Sequence, residues 1–102
     1  MKPQIGEYYY HFKHNPGDVF DHAYVIDGFG FDAEKDCEVL FYKPLYEVDI
    51  FKGSDMTVFV RSINNFTEMV ERDEKKFERF SKIIDTEVII RLEKKKNELY
   101  EK

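Results

Sequence analysis

The sequence predicts a mainly β fold: a small antiparallel β-barrel or rolled sheet with a C-terminal α-helical tail. Three observations carry this. Short stretches rich in Tyr, Phe and Val recur between turn signals before residue 63, the spacing of a compact all-β domain. The aromatics, ten Phe and seven Tyr, all lie at or before Phe80 except Tyr100. From Asp85 onward the pattern changes to a few aliphatic residues among dense charges. At 102 residues one folded body is expected, over residues 1–84, followed by a charged helical tail over 85–102.

The elements follow in order. Glu7 to Lys13 reads as a strand, because Tyr and Phe favour pleated structure. Period two puts Tyr8, Tyr10 and Phe12 on one face and Tyr9, His11 and Lys13 on the other. Asn15-Pro16-Gly17-Asp18 is a turn, with φ preset by Pro and freed at Gly. Val19 to Ile26 resumes as a strand, and Gly28 and Gly30 around Phe29 mark a bend or bulge. Phe31 to Asp36 is a polar loop. Glu38 to Tyr42 is an apolar strand that Pro44 ends or places at an edge. Glu47 to Phe51 and Met56 to Arg61 flank Lys52-Gly53-Ser54-Asp55, which reads as a hairpin. In its second strand Met56, Val58 and Val60 share one face, and Thr57, Phe59 and Arg61 the other.

After Ser62 local propensity points to a helix. Asn65 and Glu68 fit an N-cap and its N3 partner, and Phe66, Met69, Val70, Phe77, Phe80 and Ile84 mark one helix over 66–84. The tail is a stronger helix. Glu87–Arg91, Lys94–Glu98 and Glu98–Lys102 are opposite charges four apart. Its stripe of Val88, Leu92 and Leu99, broken at Lys95, is too thin for a coiled coil and suits docking on the body or on a partner.

Composition excludes several classes. One Cys cannot form an internal disulfide, so a disulfide-stapled secreted fold is excluded. No apolar run is long enough to span a membrane, and no apolar stretch follows the first residues as a secretory signal would require. The expectation is a cytoplasmic, acidic domain. Residues 1–63 hold 6 basic and 11 acidic side chains and residues 64–102 hold 10 of each, so the net charge of −5 sits in the first part. Nucleic acid is therefore disfavoured as a partner, although Lys13, Lys43, Arg61 and Arg79 could form local basic patches.

Most chemical motifs fail on spacing. His11, His14, Asp18, Asp21 and His22 are metal-ligand types, but His11 and His14 point to opposite faces of a strand, so no metal is expected. Asp32, Glu34, Asp36 and Glu38 do not fit an EF-hand, because counted from Asp32 its glycine and final glutamate are missing and counted from Asp27 two early ligands are missing. Gly28-x-Gly30 lacks the other residues of a phosphate loop. Cys37 sits between Asp36 and Glu38, which oppose thiolate formation. No cofactor is implied.

The order of several pieces resembles one family. Tyr9-x-His11-Phe12-Lys13, Glu38 to Tyr46 ending in Lys43-Pro44-Leu45-Tyr46, Phe59-Val60-Arg61, Phe66 to Asp73, and Arg79-Phe80 together resemble the domain of unknown function 1653 family, over roughly Gly6 to Ile84. The resemblance implies a small bacterial domain with an SH3-like β-barrel, and it implies no activity. It also implies a short helical turn near Phe66–Val70, a turn at Asp73 and an extended Phe77–Phe80, in place of the single helix. Ser62 stands where the family usually has Pro, Glu74 where it usually has the Gly of an Asp-Gly turn, and the tail is extra.

Tyr9, His11, Tyr42, Tyr46, Arg61 and Arg79 are the candidate site set. Arg61 is either paired with a carboxylate such as Glu68 or an anion anchor in a ring-lined pocket. The expected function is a non-enzymatic binding module for a small polar or anionic ligand or a protein segment. The alternatives are an enzyme using His11 as acid/base with Arg61, and a structural module that forms a homodimer through the tail.

Overall fold

The structure, a computed structural model, describes residues 2–101. Seven strands form: β1 (Tyr8–His11), β2 (Ala23–Asp32), β3 (Cys37–Pro44), β4 (Phe59–Ser62), β5 (Met69–Arg72), β6 (Lys75–Glu78) and β7 (Phe80–Lys82). Two α-helices accompany them, α1 (Ile63–Phe66) and α2 (Thr86–Tyr100). The main sheet has the order β4-β3-β2-β1-β7, antiparallel throughout, and β5 and β6 form a separate hairpin. The fold is mainly β with a C-terminal helix, and no described helix is long and apolar enough to cross a membrane.

The ladders do not close into the barrel that the strand spacing suggested: β4 and β7 end the sheet. The sheet is nevertheless strongly curled. Four inter-strand steps in a flat sheet would separate β4 from β7 by about 19 Å. Instead the Arg61 guanidinium carbon on β4 lies 5.3 Å from the ring centroid of Phe80 on β7. Phe66, placed by α1 directly after β4, stacks on Phe80 at 4.0 Å. Side chains, not backbone hydrogen bonds, span the remaining gap.

Each face of the sheet has its own core. Tyr9, Tyr24, Ile26, Leu40 and Tyr42 pack with Phe66 and Phe80 on the concave face. Tyr8, Ala23, Val25, Leu45 and Ile83 pack against Leu92 of α2 on the other. The alternation in β1 is therefore as the sequence indicates, with Tyr8 opposite in direction to Tyr9. It stops at His11: Phe12 leaves the strand, its N–H donating to the Arg79 carbonyl, and its ring turns to the hairpin beside Phe77. Asn15 to Asp18 form the expected turn, with the Asp18 N–H donating to the Asn15 carbonyl. The β2–β3 register shifts between Ile26 and Gly28, a bulge beside the two glycines. A Cβ on Gly30 would meet the Phe41 ring at 3.0 Å, which is why a glycine stands there.

Other expectations are corrected. Val19 to His22 are turn residues, and β2 runs on to Asp32, so the connecting turn is confined to 33–36. Residues 47–51 are not a strand. Asp49–Phe51 is a single 3-10 turn, and β4 pairs with β3 instead. In β4 the expected alternation holds, with Val60 52% exposed and Phe59 and Arg61 inward, but Met56, 50% exposed, lies before the strand. Of the two readings of 66–84 the structure follows the family-like order, with α1, the β5–β6 hairpin and β7 in place of the single helix that propensity alone suggests. Ser62, not Asn65, caps α1: its Oγ accepts the Asn65 N–H at 3.1 Å. Helix propensity loses here to burial, since extended geometry lets Phe80 reach Phe66.

The tail forms the expected helix, capped by Asp85, whose carboxylate accepts the N–H groups of Glu87 and Val88. Leu92 is fully buried in the body, with Val88, Ile89 and Tyr100 beside it. The expected pairs Glu87–Arg91 and Lys94–Glu98 are not among the ion pairs of the described residues, where Arg91 and Lys95 lie over Phe20 instead. The third pair ends at Lys102, outside the described residues.

Candidate functional site

The curl of the sheet gathers rings on one face. Tyr42 of β3 meets Tyr24 edge-on at 5.1 Å, Phe59 at 5.6 Å and Phe80 at 5.5 Å between centroids. The Tyr24 and Tyr46 hydroxyls share a hydrogen bond of 2.5 Å. His22, held at the end of the turn before β2, lies 5.9 Å from Tyr46 and 5.7 Å from His11. Burial raises the pKa of Tyr24, Tyr42 and Tyr46, so their hydroxyls stay protonated near neutrality.

Arg61 sits at the centre. Its Nε donates to the Tyr42 hydroxyl at 2.7 Å, and an Nη donates to Asn65 Oδ1 at 2.6 Å. Its guanidinium also lies against Phe80. Both acceptors are neutral. Glu68, the carboxylate considered as its partner, pairs with Arg79 at 3.4 Å instead. Arg79 also donates from Nε to the Asn65 carbonyl at 3.1 Å, so Asn65 links the two arginines through separate atoms.

His11 is next to this cation. Desolvation, then the charge of Arg61 and the nearby His22, Lys13 and Arg79, push its pKa down to about 4. Its Nδ1 accepts the Lys13 N–H at 3.1 Å, so the neutral ring carries its proton on Nε2.

His11, Tyr42, Tyr46 and Arg61 thus come together, and Arg79 joins them through Asn65. Tyr9 does not. Its hydroxyl donates to Glu7 Oε1 at 3.0 Å, and it packs edge-on to Phe66, with the Phe66–Phe80 stack between it and Arg61. It borders a separate cleft of about 160 Å³ with Glu78 and Lys82. Asn65, Tyr24, His22, Phe59 and Phe80 were not in the candidate set read from the sequence. Phe59 carried a signal, since it alternates with Arg61. Tyr24 and Phe80 are positioned by the curl, which no local pattern encodes.

The early histidines do not form a metal set. His14 Nδ1 lies 2.6 Å from the Asp21 carbonyl oxygen, with its ring stacked on Tyr10. His22 Nδ1 is 3.0 Å from Asp21 Oδ1 without hydrogen-bond alignment. Among the described residues no three His, Cys, Asp or Glu side chains gather as ligands. An open groove of about 480 Å³ between residues 46–57 and the end of α2 shares only Tyr46 with the site.

A family model described as a protein of unknown function, DUF1653, matches residues 7–82, most of the chain. The chain belongs to the DUF1653 family. The DUF1653 match takes in every residue of the candidate set and stops before α2. Searches of curated proteins and of solved structures return no match.

Proposed function

We propose that this DUF1653 chain is a non-enzymatic binding module whose concave aromatic face, anchored by Arg61, takes a small polar or anionic ligand or a segment of another protein. The observation behind this reading is the state of Arg61. It is a half-buried guanidinium held by two neutral acceptors, with no carboxylate partner among the described residues. A partly desolvated charge without a counter-ion is costly, and an anion from outside supplies one. The ring floor already carries the chain's own cation, so it favours anions over cationic guests.

The alternatives have less support. An acid/base His works best with a pKa near the operating pH, and His11 is held near 4. For self-association, the α2 stripe that would face a second copy turns Leu92 into its own body. The SH3-like kinship is part of the same proposal, supported by the curl that brings β4 and β7 into side-chain contact. So are cytoplasmic residence and the lack of membrane and nucleic-acid partners.

The test is thermal melting against a panel of phosphate, sulfate, carboxylates and nucleotides. A ligand at about 100 times its Kd adds about 2.7 kcal/mol of stability. Arg61→Ala should abolish the shift and keep the circular dichroism spectrum. Arg61→Lys should weaken it, because an ammonium lacks the planar fork. The reading fails if Arg61→Ala unfolds the protein, or if no anion shifts the native melt.

A further inference from the structure

The geometry points to an acidic, carboxylate-rich segment of a partner protein as the ligand, docking along a cation–aromatic strip that runs from Arg61 to Arg72. This deepens the Arg61 reading and rests on it. The strip is continuous. From the Arg61 guanidinium to Phe80 is 5.3 Å, from Phe80 to His11 5.0 Å, from His11 to Phe12 4.4 Å, and from Phe12 to the Arg72 guanidinium 5.0 Å. It leaves the concave face and continues onto the β5–β6 hairpin, which Phe77 fixes against Phe12 at 5.4 Å.

Charge follows the same path. Lys13 lies over Phe12 at 6.0 Å, and Lys75 stands directly opposite Arg72 in the hairpin ladder, on the same side. Among the described residues Arg61, Lys13, Arg72 and Lys75 have no ion-pair partner, whereas the neighbouring Arg79 pairs with Glu68. Glu71 and Glu78 project from the other face of the hairpin, opposite Lys76 and Met69. Asp73 and Glu74 form the turn where the strip ends. A chain with net charge −5 therefore presents a local line of cations here.

The rings decide between two polyanions. A single-stranded nucleic acid needs bare aromatic faces on which bases stack. Phe80 is 4% exposed, with Phe66 stacked on it and Arg61 beside it. Phe12 carries Arg72 and Lys13. The ring surfaces serve to hold cations, and a guanidinium held against a ring offers its N–H edges to carboxylates. Successive carboxylates on an extended peptide suit such a line.

The experiment is fluorescence anisotropy of a dye-labelled Asp/Glu-rich peptide with the full chain, beside its Asn/Gln counterpart and an oligothymidine. The acidic peptide should bind and weaken as salt rises, and the amide peptide should not bind. Arg72→Gln, on the exposed hairpin, should weaken binding about fivefold, the scale of one exposed charge pair. Lys35→Gln, which removes the same charge from the β2–β3 turn, should leave binding unchanged. The strip is overturned if the amide peptide binds equally, if oligothymidine binds more tightly, or if Arg72→Gln has no effect. If small anions still shift the melt through Arg61 while Arg72→Gln has no effect on the peptide, the strip falls and the Arg61 site stands. If Arg61→Ala also leaves small-anion shifts intact, both fall.

Discussion

His11 shows how one residue's surroundings set its chemistry. Its ring is half-buried beside Phe80 and close to Arg61, and its proton affinity falls from the ordinary 6.5 to about 4. The unfolded chain therefore takes up a proton between those two values while the folded chain does not. The stabilising contribution is complete above about pH 6.5 and is lost as pH falls toward 4. Its size is on the order of 2 kcal/mol once partial solvation is counted. Over that window wild-type stability should fall more steeply than that of His11→Asn, measured by denaturant unfolding at each pH. Parallel curves would mean that His11 is as basic folded as unfolded. A bound anion at Arg61 would lessen the charge repulsion on His11, so ligand and proton should favour each other.

At the scale of elements, the β5–β6 hairpin carries a visible strain. Asp73 and Glu74, its two turn residues, have φ of 52° and 64°. Two successive left-handed residues suit Asn-Gly or Asp-Gly, and a Glu there costs about 1 kcal/mol relative to Gly. Glu74→Gly should raise the unfolding free energy by roughly that amount, and Glu74→Val should lower it, both read by denaturant melts. The same hairpin shows what a sequence can and cannot disclose. The family-like order placed a turn at Asp73 although Glu74 stands where the family has Gly, whereas residue-by-residue helix preference passed straight through it. Strand β1 was legible because Tyr8 and Tyr9 already alternate, and the tail was legible because its charges and aliphatics keep helical spacing. Residues 47–51 misled because Val48, Ile50 and Phe51 read as a strand, yet β4 pairs with β3 and remains the edge of the sheet. Asn65 was noticed as a cap, but its carboxamide serves Arg61. Side-chain roles of that kind depend on where β4 lies in the sheet, which is non-local information.

For the whole molecule, α2 lies outside the family match and yet completes the second core. Leu92→Ala should cost about 2–5 kcal/mol, the range for emptying a buried leucine site. Its sedimentation should equal that of the wild type. A change in mass would favour the tail as a self-association element. The candidate site has a comparable dependence on distant parts. His11 comes from the first strand, Tyr42 from the third, Arg61 from the fourth, and the Phe80 floor from the seventh. Contacts between residues so far apart in sequence form only once most of the chain is available. During synthesis, then, no partial product ending before residue 80 possesses this surface. A partner or metabolite that recognises it would engage finished molecules and ignore those still on the ribosome, and proteolytic fragments of the body would be equally invisible to it.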